Sequence, residues 1–269
     1  MISISCIIPV RNRKGLVLSA IESAIRQDVP ELEIVVVDDG STDGTPSEIH
    51  RHFPEITLLR KRQGSGPGDA RNIGVMASQG RILMFLDSDD IWLENHCSLL
   101  MERLESGFQA AFGVTENEDT IKGTKFLIPE HGATRPCCMF SALLRWCFMV
   151  PSSFAVTREA FMTVGGFTLF SPGEDWLFFL ELARRFPFGF VQQTITWRRL
   201  HPDSLCLKAF DKSKATAIML RLKEATPGIG CRDNHILRME KILDLITKDG
   251  DKWQSVQDWY TTLKRHNLI

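Results

Sequence analysis

Residues Ile82-Leu83-Met84-Phe85-Leu86 run directly into Asp87-Ser88-Asp89-Asp90. An apolar run that stops abruptly in acids describes a buried strand delivering negative charge to the mouth of a sheet. Such charge is costly to leave unpaired, so something cationic should sit there. A hard divalent metal carrying phosphates suits carboxylate oxygens. An acidic surface turn would show the same letters, since acids are common in turns. The surrounding chain has to decide.

Toward the N-terminus, strand and helix signals alternate. Ile4 to Val10 is a β-rich run stopped by Pro9 and the polar Arg11-Asn12-Arg13. Val17, Ala20, Ile21, Ala24 and Ile25 then mark one helical face. Ile34-Val35-Val36-Val37 is a continuous β-branched run, as in a strand covered on both faces of a parallel sheet. Thr45-Pro46-Ser47-Glu48 reads as a helix start, with Thr45 capping, Pro46 at the first position and Glu48 closing a capping box. Ile56 to Leu59 gives a third strand, Lys61 to Gly68 a loop, and Ala70 to Ala77 a helix before the fourth strand at Ile82. The pattern predicts an α/β protein with a doubly wound, Rossmann-like, mostly parallel sheet flanked by helices. Ligands of such sheets bind beyond the carboxyl ends of the strands. Asp38-Asp39 and Asp87 to Asp90 should therefore face one crevice.

Toward the C-terminus the signals are weaker. Residues 106–150 show few clear periods, although Cys137 to Phe148 reads as a buried helix too short to span a bilayer. Phe154-Ala155-Val156 suggests a strand, and Thr157 a cap for a short helix through Phe161. A helix is expected from Glu174 to Arg185. Beyond about residue 207 the chain is polar and helical, with amphipathic stretches near 212–224, 234–247 and 252–265. The expected organisation is one domain over 1–205, split into a nucleotide-binding half (1–105) and an acceptor half (106–205), followed by a helical C-terminal extension over 206–269.

Bulk properties narrow the classes. The 269 residues are 43% apolar and 24% charged, as in ordinary globular proteins. A net charge of -1 gives no electrostatic reason to bind nucleic acid or anionic membrane. No apolar run approaches the ~20 residues of a membrane span, which leaves peripheral association as the form any membrane contact would take. The N-terminus reads as a first strand rather than a signal peptide. Seven scattered cysteines without a CxxC pair argue against a disulfide framework or zinc site and fit a reducing, cytoplasmic setting.

Five segments, in order, resemble glycosyltransferase family 2. They are Ile8-Pro9-Val10-Arg11-Asn12, Val37-Asp38-Asp39-Gly40-Ser41-Thr42-Asp43-Gly44-Thr45, Gly66-Pro67-Gly68-Asp69-Ala70-Arg71-Asn72-Ile73-Gly74, Phe85 to Asp90 as a DxD motif, and Gly173-Glu174-Asp175 as an ED motif. The resemblance covers roughly residues 4 to 205. It implies a GT-A fold and an inverting transfer from a sugar nucleotide, most often a UDP-sugar, with Mn²⁺ or Mg²⁺, to a hydroxyl of a glycan, lipid or small molecule. By the family pattern Asp39 would bond the base, and Pro9, Arg11 and Asn12 would line the nucleotide slot. Asp87 would meet the ribose, Asp89 would hold the metal, and Arg71 would support the base or phosphates. Asp175 would be the catalytic base, with Glu174 and Trp176 on the acceptor side. The segment Trp197 to Ser204 resembles one that follows the ED helix, which makes His201 a candidate for the metal or diphosphate.

These residue types suit the chemistry. A carboxylate-held metal neutralises a departing diphosphate without proton transfer, and a carboxylate near a sugar hydroxyl can take its proton as the new bond forms. The bland alternatives are acidic caps for Glu174 and Asp175, turn and capping roles for Asp43 and Asp90, an exposed helical Arg71, and core packing for Trp92, Trp146, Trp176 and Trp197. Where many relatives carry an aromatic residue this chain has Arg11, whose guanidinium can also stack. The absence of a QxxRW sequence argues for one sugar per encounter rather than processive synthesis. Two other functions compete: a nucleotidyltransferase on a related sheet, which would want a Gly-rich loop after the first strand, and a non-catalytic nucleotide-sugar-binding module, which would not need Asp39, Asp89 and Asp175 together.

Overall fold

The computed structural model describes residues 3–27, 29–130, 139–144, 146–169, 173–202 and 204, with isolated positions between 216 and 266. Its first half follows the sequence pattern. Strands β1 (Ile4–Val10), β2 (Leu32–Asp38), β3 (Thr57–Arg60) and β4 (Ile82–Phe85) pair in parallel in the order β3-β2-β1-β4. Helices α1 (Val17–Ile25), α2 (Thr45–His52) and α3 (Pro67–Ala77) supply the crossovers. Alternate strand residues serve opposite faces. Ile7, Val35, Val37, Leu83 and Phe85 share one core with Ala70 and Val75 of α3. Ile8, Val10, Val36 and Met84 share the other with Val17, Ala20 and Ile21 of α1. Helix α3 lies so close to β1 that a Cβ on Gly74 would come within 2.4 Å of Ile7 Cγ2.

The second half is mixed in direction. After β5 (Asp90–Trp92) and α4 (His96–Glu105) come β6 (Ala110–Asp119) and β7 (Thr124–Ile128), then α5 (Met139–Leu143) and a 3₁₀ turn, Pro151–Ser153. Strand β8 (Phe154–Thr157), helices α6 (Arg158–Val164) and α7 (Glu174–Arg185) and strand β9 (Phe188–Leu200) complete the described elements. The sheet continues from β4 as β8-β6-β9-β5, with β7 on the side of β6. Pairs β4–β8, β6–β8, β5–β9 and β6–β7 are antiparallel, and β6–β9 is parallel. Strand β9 has 13 residues against the ten of β6. The surplus is taken up by register shifts around Val114, so that Gly113 faces Val191 while Thr115 already faces Thr196.

Several local expectations change. Strand β1 does not stop at Pro9 but pairs it with Val37. This is tolerated because β4 has ended, its last partner on β1 being Ile7, so no ladder bond is lost for want of an N–H. Thr45 is the first helical residue rather than the cap, and Gly44 at φ 85° precedes it. Asp43 does the capping, its Oδ1 accepting from Thr45 N at 2.9 Å and from Thr45 Oγ1 at 2.5 Å. Glu48 closes no box, because Arg51 engages its carboxylate. Thr157 caps α6 as expected, accepting from Ala160 N. The segment over 106–150, which shows no clear period, contains β6 and β7. The three amphipathic C-terminal stretches lie mostly outside the described residues, although Met219 and Ile242 are buried in the core that contains α7. Among the described residues no helix is long and apolar enough to cross a membrane.

Candidate active site

The last rung between β1 and β4, Leu86 N to Ile7 O at 3.0 Å, delivers the acidic turn to the sheet mouth. Asp90 is 1% exposed and accepts from Ser152 Oγ at 2.6 Å. Burial, with Asp89 alongside, pushes its carboxyl well above the usual carboxylate range. Asp90 is thus a structural acid, as the turn reading expects. Asp89 Oδ2 lies 3.0 Å from His201 Nε2 and 3.6 Å from Arg13 Nε. His201 reaches this point because β9, paired with β5 through Arg198 and Asp90, runs out at the same mouth.

Arg71 occupies the centre. It is 3% exposed, with Nη2 2.5 Å from Asp87 Oδ1 and Nη1 3.4 Å from Glu174 Oε1. Its guanidinium lies 5.1 Å from the Phe167 ring centroid. Burial works against its charge, but Asp87 and Glu174 outweigh that and raise its pKa. Helix α7 contributes two acids from its first turn. Glu174 is pushed up to about 7 by burial and by the charge of Asp175, against the pull of Arg71. Asp175 is also raised, by burial first, with Arg71 opposing. Its Oδ1 accepts from Trp176 N at 2.7 Å within the first turn of α7, where Gly173 is the N-cap and no side chain caps it. Two carboxyls with raised pKa thus lie beside one buried guanidinium.

Asp39 lies at the end of β2, two strand positions from Asp87. Its oxygens accept from Ser65 N at 3.0 Å and Gly66 N at 2.9 Å, and Lys61 Nζ lies 2.7 Å away. Lys61 also bridges to Asp69 at 2.6 Å. The loop lies tight over Arg11, since a Cβ on Gly64 would come within 2.3 Å of Arg11 Nη1. Asn12 is exposed and laces the first loop to the second, its N donating to Ser41 Oγ at 2.9 Å and its Oδ1 accepting from Thr42 N at 2.8 Å. Pro9 is buried beneath.

The structure brings Asp87, Arg71, Glu174 and Asp175 into one cluster and Asp89 and His201 into another. Arg11, Asn12 and Asp39 form a third at the ends of β1 and β2. Arg71 belongs with the acids, not with Asp39. Trp176 is a correction to its acceptor-side expectation: it is 4% exposed, and its Nε1 is spent on Leu143 O at 2.7 Å, so it packs as core. Trp92 is core as well, stacked on His96. Motif spacing does not point to Arg13, Lys61 or Ser152. For Arg13 and Lys61 the only signal was a basic residue near a predicted strand end.

Among the described residues no three His, Cys, Asp or Glu side chains gather as a metal cage. Asp89 and His201 offer one carboxylate and one imidazole, which fits an ion that takes its remaining ligands from phosphate oxygens and water.

Comparison with known proteins bears on the family and the fold. The family profile described as Glycosyl transferase family 2 matches residues 5–168. An Escherichia coli relative named UDP-Glc:alpha-D-GlcNAc-diphosphoundecaprenol beta-1,3-glucosyltransferase WfaP is 25% identical over 86% of this chain and 88% of its own. An uncharacterized glycosyltransferase of Haemophilus influenzae is 27% identical, covering 67% of this chain and 62% of its own. A Rickettsia bellii glycosyltransferase is covered over only 29% of its length, so the chain spans well under two thirds of some relatives. The S. aureus TarS 1-349 structure in complex with UDP-GlcNAc superposes with TM-score 0.68 at 16% identity, over 97% of this chain and 79% of that one. The Pyrobaculum calidifontis mannosyltransferase PcManGT with GDP-Man and Mn²⁺ gives TM-score 0.65 at 21% identity, over 90% and 70%. These likenesses show the expected GT-A type of fold. With the ordered motifs and the profile covering more than half its length, this chain belongs to glycosyl transferase family 2.

Proposed function

We propose that the chain is an inverting glycosyltransferase that moves one sugar from a UDP-sugar to a hydroxyl of a lipid-diphosphate-linked glycan. The observation that carries this reading is the cluster in which Arg71 joins Asp87, at the end of β4, to Glu174, next to Asp175 on α7. An acid on the donor strand and a base on the acceptor side thus share one crevice. The donor class is supported by the UDP-GlcNAc complex of TarS. The acceptor class is supported by WfaP and by a Campylobacter jejuni relative named GalNAc(5)-diNAcBac-PP-undecaprenol beta-1,3-glucosyltransferase, 34% identical over 42% of this chain.

In this reading Asp39 and Arg11 hold the base end of the donor, and Asp87 meets the ribose. Asp175 removes the proton of the attacking hydroxyl, and its raised pKa makes it a stronger base than a solvated aspartate. Glu174, held by Arg71, orients the acceptor. A divalent ion on Asp89 and His201 would supply charge neutralisation of the departing diphosphate. Attack from the Asp175 side, opposite the leaving group, is a single displacement and inverts the anomeric centre.

The test pairs binding with transfer. Calorimetry should show UDP binding strengthened by Mn²⁺, and Asp89→Ala should lose the Mn²⁺-dependent part. Asp175→Asn should bind UDP as the wild type does and transfer sugar about 10²–10⁴-fold more slowly. Transfer at the wild-type rate by Asp175→Asn would remove the base assignment.

A further inference from the structure

Ser152 has no place in the family motifs, yet the acidic turn is built around it. The residue is fully buried in the short 3₁₀ turn Pro151–Ser153. Its hydroxyl accepts from Asp87 N at 3.0 Å and donates to Asp90 Oδ2 at 2.6 Å, spanning the turn that carries Asp89. Its carbonyl accepts from Trp92 Nε1 and from Thr196 Oγ1, both at 2.8 Å. Three strands therefore meet one serine at four points: the end of β4, the two ends of β5, and β9, the strand that leads to His201. The hydroxyl holds the acids while the carbonyl holds the strands.

Resting on the donor reading above, we propose that Ser152 is a positioning residue whose hydroxyl fixes the Asp87–Asp90 turn so that Asp87 and Asp89 meet the nucleotide and its metal in register. The turn has its own bond from Asp90 N to Asp87 O at 3.0 Å, and Arg71 holds the Asp87 side chain, but among the described residues only Ser152 joins the start of the turn to the Asp90 carboxyl. The Ser152 Oγ bonds to the backbone of the first acid and the side chain of the last leave Asp89 between two fixed points. The division between hydroxyl and carbonyl makes the two roles of Ser152 separable by mutation.

Ser152→Ala keeps the carbonyl, and with it the Trp92 and Thr196 bonds, while removing both ties to the turn. Trp92→Phe does the reverse: it removes a strand-side bond and leaves the turn tied. UDP is titrated calorimetrically into the wild type and each variant with and without Mn²⁺, and thermal unfolding is recorded beside it. Ser152→Ala should shrink the Mn²⁺-dependent gain in UDP affinity about tenfold, in keeping with two lost hydrogen bonds of ordinary net strength. Trp92→Phe should lower Tm and keep that gain. Should Ser152→Ala fail to fold, Ser152→Cys, nearly the same shape but a weak donor and acceptor, carries the same comparison. An undiminished Mn²⁺ gain in the folded hydroxyl variant, or an equal loss in Trp92→Phe, overturns the positioning role alone. A wild type that does not bind UDP, or binds it without any Mn²⁺ gain, overturns the donor reading, and the positioning role falls with it.

Discussion

Replacing Arg71 by methionine keeps much of the side-chain volume and removes the one charge shared by Asp87 and Glu174. Breaking a buried pair by deleting one partner costs about 3–5 kcal/mol. Two features reduce that here. The Asp87 side chain is 27% exposed and regains hydration, and Glu174, already near 7, can take up a proton instead of remaining a buried anion. We expect a loss of about 2–3 kcal/mol at pH 8, or roughly 4–12 °C in Tm for a domain of this size. The pH dependence gives the sharper reading. Below about pH 6 Glu174 is neutral in both proteins, so only the Asp87 pairing is lost. As pH rises through 7 the wild type ionises Glu174 beside the guanidinium, whereas the variant holds the proton to higher pH or pays for an unpaired charge. The Tm difference between wild type and Arg71→Met should therefore widen from pH 5.5 to pH 8, measured by circular dichroism. A difference that is flat with pH, or under about 2 °C at pH 8, refutes the idea that Arg71 is the counter-ion of Glu174.

Two further outcomes follow from the same coordinates. The Glu174 carboxyl, raised from its ordinary 4.5 to about 7, binds its proton more tightly folded than unfolded, so wild-type stability drawn from this group falls as pH climbs through that window. Glu174→Gln should remove that part of the slope, so that urea midpoints across pH 4.5 to 7 decline less steeply than in the wild type. Gly74→Ala places a Cβ 2.4 Å from Ile7 Cγ2 and 3.2 Å from Val37 Cγ2. The crowding of α3 on β1 should cost about 1–3 kcal/mol, visible as a lower urea midpoint with UDP affinity unchanged in the folded fraction.

The parts of the fold that the sequence announces are those whose burial is uniform. β1, β2 and β4 are covered on both faces, so their apolar runs are nearly unbroken. β6 and β9 are hidden because their outer halves face solvent on one side. Glu116 and Glu118 break the first, and Gln192, Gln193, Arg198 and Arg199 the second, so neither reads as a continuous strand. Asp39, Asp87 and Asp89 were legible as candidates because they sit in short local motifs. The partnership of Asp89 with His201, 112 positions away, was legible only through family resemblance, since nothing local joins the two. Ser152 was silent for a simple reason: a serine that satisfies backbone and carboxylate groups looks like any other serine. Trp176 misled in the opposite direction, because an indole beside Glu174 and Asp175 suggests a sugar platform, whereas its burial and its bond to Leu143 O turn it inward.

The register shift between β6 and β9 makes the second strand a ruler. Once its surplus residues are absorbed around Val114, pairing runs without a break from Thr115–Thr196 to Asp119–Leu200. The count from that shift to His201 is fixed by the ladder. Side chains alternate along a strand, so losing or gaining one residue within 196–200 would swap the faces of Trp197, Arg198 and Arg199 and carry the imidazole away from Asp89. Insertions within Gln192-Gln193, by contrast, fall where the ladder already tolerates slack. Natural length variation in this strand should therefore gather at its irregular middle and spare its straight end.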